Sequence, residues 1–320
     1  MPTETTTVRV ARRAREALDI DSFALERCTG QAIPAIAAGA HLDVHLPNGL
    51  VRQYSLFNAP SDTDSYRIAV LRDPAGRGGS VGMHDLVQVG DTLEVSAPRN
   101  LFPLVPQARR SLLFAGGIGI TPILAMAQQL MARQQDFALH YCARSAARMA
   151  FREYLMTTAL ADRTTLYVDD QGQDRRLDMA RVLSRPEDGC HVYVCGPGGF
   201  IEAVLRTARD HGWPAAQLHS ESFSGNAAIA RGAPFEVQLA KSGRSVPVAA
   251  EETVVQALAR CGIAVPTSCE QGICGTCVLR VRSGIPDHRD MFLTPAEHLS
   301  NEWLVPCCSR SKSATLVLDL

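Results

Sequence analysis

SCEQGICGTC, residues 268–277, spaces Cys269, Cys274 and Cys277 as C-x4-C-x2-C, and Cys307 follows after the 29 residues 278–306. Three bunched cysteines with one distant partner match the plant-type [2Fe-2S] arrangement, in which four thiolates converge on two irons. Gly272 and Gly275 remove side chains where main-chain N–H groups must approach the cluster sulfurs. A structural zinc site is the rival, but zinc ribbons and fingers usually supply their ligands as two close pairs. Cys307 and Cys308 are adjacent and point to opposite sides of an extended segment, so either could be the fourth ligand. We take Cys307 and leave Cys308 as a packed or surface thiol.

Working outward, Phe235, Val237 and Leu239 alternate, residues 241–244 (KSGR) turn, and Val246 and Val248 alternate again, which predicts a hairpin. Thr253 to Cys261 reads as a helix with Glu251 and Glu252 at its start and Gly262 at its end. Hairpin, helix, cysteine loop and late cysteine define a C-terminal α+β domain over 233–320, preceded by a linker at 227–232.

Upstream, SLLFA (111–115) is a short buried strand, GGIGITP (116–122) a glycine turn, and 123–133 an apolar helical stretch. Strand, turn and helix form a phosphate-binding unit, although Pro122 stands where the dinucleotide fingerprint has its third glycine. Further strands are predicted at 137–142, 165–168 and 191–195, the last opening onto Gly196-Pro197. Residues 106–226 therefore read as a doubly wound parallel sheet, with Gly117, Gly119, Thr121, Pro122, Arg144, Cys195 and Gly196 gathered at the carboxyl ends of its strands.

Residues 1–105 carry short alternating segments with turn residues between them, as in a small antiparallel β-barrel. RQYSL (52–56) puts Arg52 and Tyr54 on one face of a strand and Ser55 on the other. GRGGS (76–80) precedes a helix predicted at 81–86, so Gly79 and the Ser80 hydroxyl form a second candidate phosphate cradle.

With 32 basic and 33 acidic residues the chain has no excess charge for a nucleic-acid backbone. The one long apolar stretch, 111–132, is broken by glycines and Pro122, so no membrane span is expected. The N-terminus lacks an apolar core of a secretory signal, which points to a cytoplasmic protein, and there ten cysteines read better as metal ligands than as disulfides.

Taken together, RQYSL, GRGGS, GGIGITP, YVCGP and C-x4-C-x2-C, with PRNLFPL, HYCARS, DHRD and the closing CCSRSKSATLVLDL, resemble the phthalate dioxygenase reductase family over nearly the whole chain. The resemblance implies an FMN barrel, an NAD domain and a C-terminal ferredoxin domain. It implies that Arg52, Tyr54 and Ser55 hold FMN with Ser55 near the reactive N5, that Gly79 and Ser80 hold its phosphate, and that Phe223 covers its ring. Gly117, Gly119, Thr121 and Pro122 would flank NADH, with Cys195 beside the nicotinamide; Arg144 leaves NADPH open. The implied activity is a monomeric reductase feeding a Rieske-type oxygenase. Reduction of another acceptor such as a cytochrome, or a non-enzymatic redox sensor, are the alternatives.

Overall fold

The computed structural model describes residues 5–171, 176–223, 231–267, 270, 272, 275–290 and 292–320. The chain forms two compact units, Met1–Phe223 and Ser224–Leu320.

The first unit opens with strands β1 (Thr5–Ala17), β2 (Ile20–Arg27), β3 (Ala40–His45), β4 (Val51–Ser55) and β5 (Ser65–Leu71), then helix α1 (Gly79–Leu86) and strands β6 (Thr92–Ser96) and β7 (Arg99–Asn100). Their order is β4-β3-β6-β1-β2-β5, with β7 on β3. A Leu56–Ile68 bridge ties the end of β4 to β5 and closes the barrel, which removes the unpaired edges of an open sheet. Val8, Val10, Phe23, Leu25, Leu42, Val44 and Val95 fill the interior at period two.

Next come β8 (Arg110–Gly116), α2 (Ile120–Ala132), β9 (Asp136–Ala143), α3 (Arg152–Thr157), β10 (Thr164–Val168), α4 (Met179–Val182), β11 (Cys190–Gly196), α5 (Gly198–Asp210) and β12 (Leu218–Ser222). All pairings are parallel in the order β10-β9-β8-β11-β12. The order reverses between β8 and β11, and that switch point opens the crevice where ligands of such sheets bind. Barrel and parallel sheet share one core: Ile20, Ala38, Ala69 and Phe102 pack with Ile120, Ile123, Met126 and Tyr141. Polar ties reinforce it, since Gln129 Oε1 accepts from the Ala38 N–H at 2.8 Å and Gln128 Nε2 donates to the Phe57 carbonyl at 2.8 Å.

The second unit contains β13 (Phe235–Leu239), β14 (Ser245–Val248), α6 (Val254–Arg260), β15 (Leu279–Ser283), β16 (Pro286–Asp287), α7 (Pro295–Ser300), β17 (Trp303–Leu304), β18 (Arg310–Ser311) and β19 (Thr315–Leu318). The main sheet runs β14-β13-β19-β15-β17, and its first and last long strands, β13 and β19, pair in parallel. Helix α6 lies across it, burying Val254, Ala257 and Leu258 with Val237, Val246, Val281 and Leu316. A capping box between Thr253 and Gln256 starts that helix, and Gly262 at φ +76° follows its end.

Two helices start earlier than the sequence suggests. Helix α1 begins at Gly79 because Gly78 takes the left-handed conformation immediately before it, so Gly79 and Ser80 lie in its first turn rather than in a loop. Helix α2 begins at Ile120, and Pro122 still falls within the first turn, where a missing N–H breaks no hydrogen bond.

Candidate functional site

The barrel side of the site is built on β4 and α1. Arg52 reaches across to the glycine turn, where its Nη2 donates to the Arg77 carbonyl at 2.9 Å. A side chain at Gly79 would place its Cβ 2.4 Å from Arg52 Cγ, so glycine is what lets the guanidinium lie against the start of α1. No side chain caps α1, and the free N–H groups of its first turn, with the Arg52 cation beside them, suit a phosphate. The Ser80 hydroxyl accepts from the Asp73 N–H at 3.0 Å, so it braces the preceding loop.

Tyr54 Oη and His41 Nε2 are buried and have no hydrogen-bond partner among the described residues. Burial pushes the Tyr54 phenol above its ordinary value and His41 down to about 4, so both are neutral near pH 7. His41 stands directly across from Ser55 in the β3–β4 pair. His41 shares the Ser55 face of the β3–β4 pair and Tyr54 the other, and each orphaned polar atom is one that a polar cofactor such as a flavin would satisfy.

Ser55, 6% exposed, donates from Oγ to Glu221 Oε2 at 3.3 Å, across 166 positions of sequence. Glu221 pairs with Cys195 between β12 and β11. As a residue Glu221 is half-buried, but its carboxyl faces Ser55, and that burial raises its pKa to about 7 while the Ser55 bond opposes the rise. The Cys195 thiol has no exposed surface and is pushed well above its ordinary value, first by burial and then by the Glu221 carboxylate. Cys195 is therefore a neutral, water-excluding wall rather than a thiolate.

The two glycine turns of the parallel sheet touch. A Cβ on Gly119 would lie 2.4 Å from the Cys195 carbonyl oxygen, and one on Gly196 would lie 3.0 Å from Gly116 Cα. Gly117 sits at φ +54° with open space around its Cα. Thr121 is buried and its hydroxyl donates to the Ile118 carbonyl at 3.1 Å, so Thr121 and the buried Pro122 shape the turn from inside. Arg144 is exposed just past the end of β9, on the crevice side. Phe223, just beyond β12, packs partly buried against the shared core.

In the second unit, Cys277 and Cys307 are buried, while Cys269 and Cys274 lie outside the described residues. Hydrogen bonds from the Cys277 and Cys308 thiols and the Gly272 N–H hold Cys307 well below the usual thiol range. Cys308 is pushed the other way by Cys307 and by burial, and its Sγ lies 3.5 Å from the Val305 carbonyl. The two adjacent thiols thus share one proton between them, with the hydrogen bonds converging on Cys307. Gly272 and Gly275 take φ +76° and +70°; a Cβ on Gly275 would meet the Phe292 ring at 2.2 Å.

Sequence reasoning missed Glu221 and His41. Glu221 lies inside SESF (220–223), and a lone acid on a strand carries no signal until its partner is known. Its proton supplies a pH prediction. A carboxyl whose pKa rises from an ordinary 4.5 to about 7 on folding contributes stability that is intact below 4.5 and lost as pH rises through 7. Urea unfolding of the first unit should show at most about 3 kcal/mol of this loss between acid and alkaline pH, and Glu221→Gln should flatten the slope. An unchanged slope in the variant counts against the assignment.

Comparison with known proteins agrees with this geometry. Residues 237–312 match the family model described as a 2Fe-2S iron-sulfur cluster binding domain, and 96–218 match the dimethylamine monooxygenase subunit DmmA-like, N-terminal domain. A vanillate O-demethylase oxidoreductase from Pseudomonas sp. (strain HR199 / DSM 7063) is 53% identical over 305 residues, 95% of this chain and 96% of that protein. The solved phthalate dioxygenase reductase superposes with a TM-score of 0.77 at 39% identity, covering 99% of this chain and 98% of the other. An intact type IV self-sufficient cytochrome P450 monooxygenase contains a region with a TM-score of 0.82 at 39% identity, covering 99% of this chain and 41% of that one. With a closed antiparallel barrel, a parallel sheet whose switch point abuts Ser55 and Glu221, and a cysteine-bearing ferredoxin fold in one order, the chain belongs to the phthalate dioxygenase reductase family of flavin and [2Fe-2S] electron-transfer oxidoreductases.

Proposed function

We propose that this chain takes electrons from NADH and delivers them to the Rieske-type oxygenase component of an aromatic O-demethylase. The observation that carries the reading is the likeness, over 95% of the chain, to a vanillate O-demethylase oxidoreductase. Bound FMN supplies the conversion of a hydride into single electrons, and the [2Fe-2S] centre supplies their exit.

The protein's own groups bind, orient and exclude water. Arg52, Gly79 and the Ser80 N–H hold the FMN phosphate; Tyr54 and Phe223 bound the ring, and His41 lies across the strand from Ser55. Ser55 Oγ, which would face the flavin, hydrogen-bonds Glu221, whose own carboxyl proton is exchangeable near neutral pH because burial raises its pKa to about 7. Gly117, Gly119 and Gly196 let the main chain approach NADH, Thr121 and Pro122 fix the turn, and Cys195 keeps water from the nicotinamide. Arg144, exposed just past the end of β9, is suited to a 2′-phosphate. Cys269, Cys274, Cys277 and Cys307 ligate the cluster. The segments 1–105, 106–226 and 233–320 carry the three functions. We place the protein in the cytoplasm as a monomer; among the described residues no helix is long and apolar enough to cross a membrane.

A second reading replaces the Rieske protein by a haem oxygenase, because a closely similar region is part of a self-sufficient P450. The test is an anaerobic NADH titration followed by turnover with each acceptor. The wild type should bleach both flavin and cluster bands and support the vanillate-type oxygenase far better than a P450. Cys307→Ser should keep NADH-driven flavin bleaching yet lose at least roughly 100-fold in delivery, whereas Cys308→Ser should stay near wild type. Preference for the P450 refutes the acceptor assignment, and a loss on Cys308→Ser alone reverses that of the fourth ligand.

A further inference from the structure

Beside the cysteine loop, and used by nothing described so far, His288, Asp290 and His298 each turn one ligand atom into a common space, all within 4.8 Å of one another. Asp290 follows β16 and its side chain has no exposed surface; the His288 side chain is 10% exposed and that of His298, on α7, 30%. Asp290 Oδ2 accepts from the Leu293 N–H at 2.9 Å and lies 3.2 Å from His298 Nε2. Its Oδ1 accepts from the Ser309 hydroxyl at 3.1 Å and lies 3.7 Å from His288 Nδ1. The imidazoles stack, centroids 4.4 Å apart.

His288 is what turns this from a packing motif into a site. Both of its ring nitrogens are shut off from solvent, and neither has a hydrogen-bond partner among the described residues. Stacking on His298 and the Asp290 carboxylate at 3.7 Å compensate its lost hydration only in part, and an ion between ring and carboxylate would complete it. Burial lowers the His288 pKa, with the His298 and Lys312 charges acting in the same direction and Asp290 and the His298 main chain opposing, so His288 offers a neutral lone pair, the form that binds metal.

We infer that His288, Asp290 and His298 form a second metal site, separate from the cluster, for one divalent transition-metal ion. Two imidazoles and one carboxylate favour a borderline ion such as Zn²⁺ over Mg²⁺ or Ca²⁺, which prefer all-oxygen shells. Ser309 and the Leu293 N–H already orient the carboxylate, as outer-shell groups do around metal ligands. The site also touches the cluster loop: a Cβ on Gly272 would lie 3.1 Å from Asp290 Cα. An ion here ties the loop after β16 to α7 and stiffens the wall behind the cysteine loop.

The test uses the oxidised holoprotein, its iron and flavin content checked so that cysteine sites stay occupied. Titration with Zn²⁺ against a chromophoric chelator should show one saturable equivalent. Cu²⁺ in its place should give an electron paramagnetic resonance spectrum with nitrogen couplings from two imidazoles. His288→Gln and His298→Gln should each weaken binding roughly 10- to 100-fold. His298 is the more exposed of the two, so its variant carries the test if His288→Gln loses iron. His219→Gln, which breaks the only other close histidine pair among the described residues, with His191 at 2.9 Å, should leave binding unchanged. No saturable equivalent, binding that survives both cluster-side substitutions, or binding that disappears with His219→Gln overturns the inference.

Discussion

Arg310→Met should release the iron–sulfur cluster and unfold the C-terminal unit under conditions where the flavin-bearing unit stays folded. Arg310 is 1% exposed, and its guanidinium donates to three main-chain carbonyls, those of Glu252 at 2.5 Å, Ala249 at 2.9 Å and Ala233 at 3.1 Å. It also lies 5.2 Å above the centre of the Phe235 ring. One side chain thus pins the segment entering β13, the turn before α6 and the strand that follows the last cluster cysteine. Methionine fills much of the volume but donates nothing. Some buried ion pairs can be replaced by apolar groups without loss because both partners go together, but main-chain carbonyls cannot be removed. Three stranded acceptors at roughly 1–3 kcal/mol each amount to most of the stability of a domain this size. Arg310→Lys should rescue only partly, since a single ammonium cannot span the three acceptors. The measurement is urea unfolding of the full chain, followed at the cluster's visible band and, separately, by flavin fluorescence. Coincident transitions unchanged from wild type sink the idea.

Gly119→Val should abolish NADH-dependent reduction while leaving chemical reduction by dithionite intact. The added Cβ would stand 2.4 Å from the Cys195 carbonyl oxygen, 2.5 Å from its carbon and 2.6 Å from the Gly196 nitrogen. Those are main-chain atoms at the end of a buried strand, so no rotamer change makes room. The turn after β8 and the turn after β11 must separate, at the switch point proposed for the nucleotide. Overpacking of this kind costs about 1–3 kcal/mol, which the first unit can survive with its barrel and flavin in place. The expected loss in the rate of flavin bleaching by NADH is at least about 100-fold, because misplacing a reacting group by about an ångström has that effect. Gly117→Ala separates the two effects: its Cβ meets no protein atom within 4 Å and φ is +54°, so it should cost about 1–2 kcal/mol of stability without forcing the two turns apart. If Gly119→Val is reduced by NADH at the wild-type rate, the two turns do not form the nucleotide site.

The buried aspartate of the further site and the Ser55–Glu221 pair illustrate a common limit of reading from residues alone. What the sequence by itself determined was whatever depends on neighbours in the chain. Cys269, Cys274 and Cys277 fall within nine positions; the GGIGITP turn joins a strand directly to its helix; the 235–248 hairpin and the Thr253–Cys261 helix carry their own turn and cap residues. Period-two and period-3.6 patterns then separate barrel, parallel sheet and ferredoxin fold, because burial on one face of a strand or helix writes itself into the local order of residues.

Only the tertiary structure decided which polar groups meet. Ser55 and Glu221 are 166 positions apart, and nothing near either one marks the other. His41 gains its place across from Ser55 from the β3–β4 register. The Ser80 hydroxyl is engaged by the main chain of Asp73, seven positions earlier, and the Thr121 hydroxyl by that of Ile118, three positions earlier. Cys307 and Cys308 are equivalent by spacing, and only packing brings the Cys277 thiol and the Gly272 N–H to Cys307 and the Val305 carbonyl to Cys308. The physical reason is the same in each case: hydrogen-bond partners and pKa values are set by burial and by distances across the fold, and these exist only once distant segments have packed together.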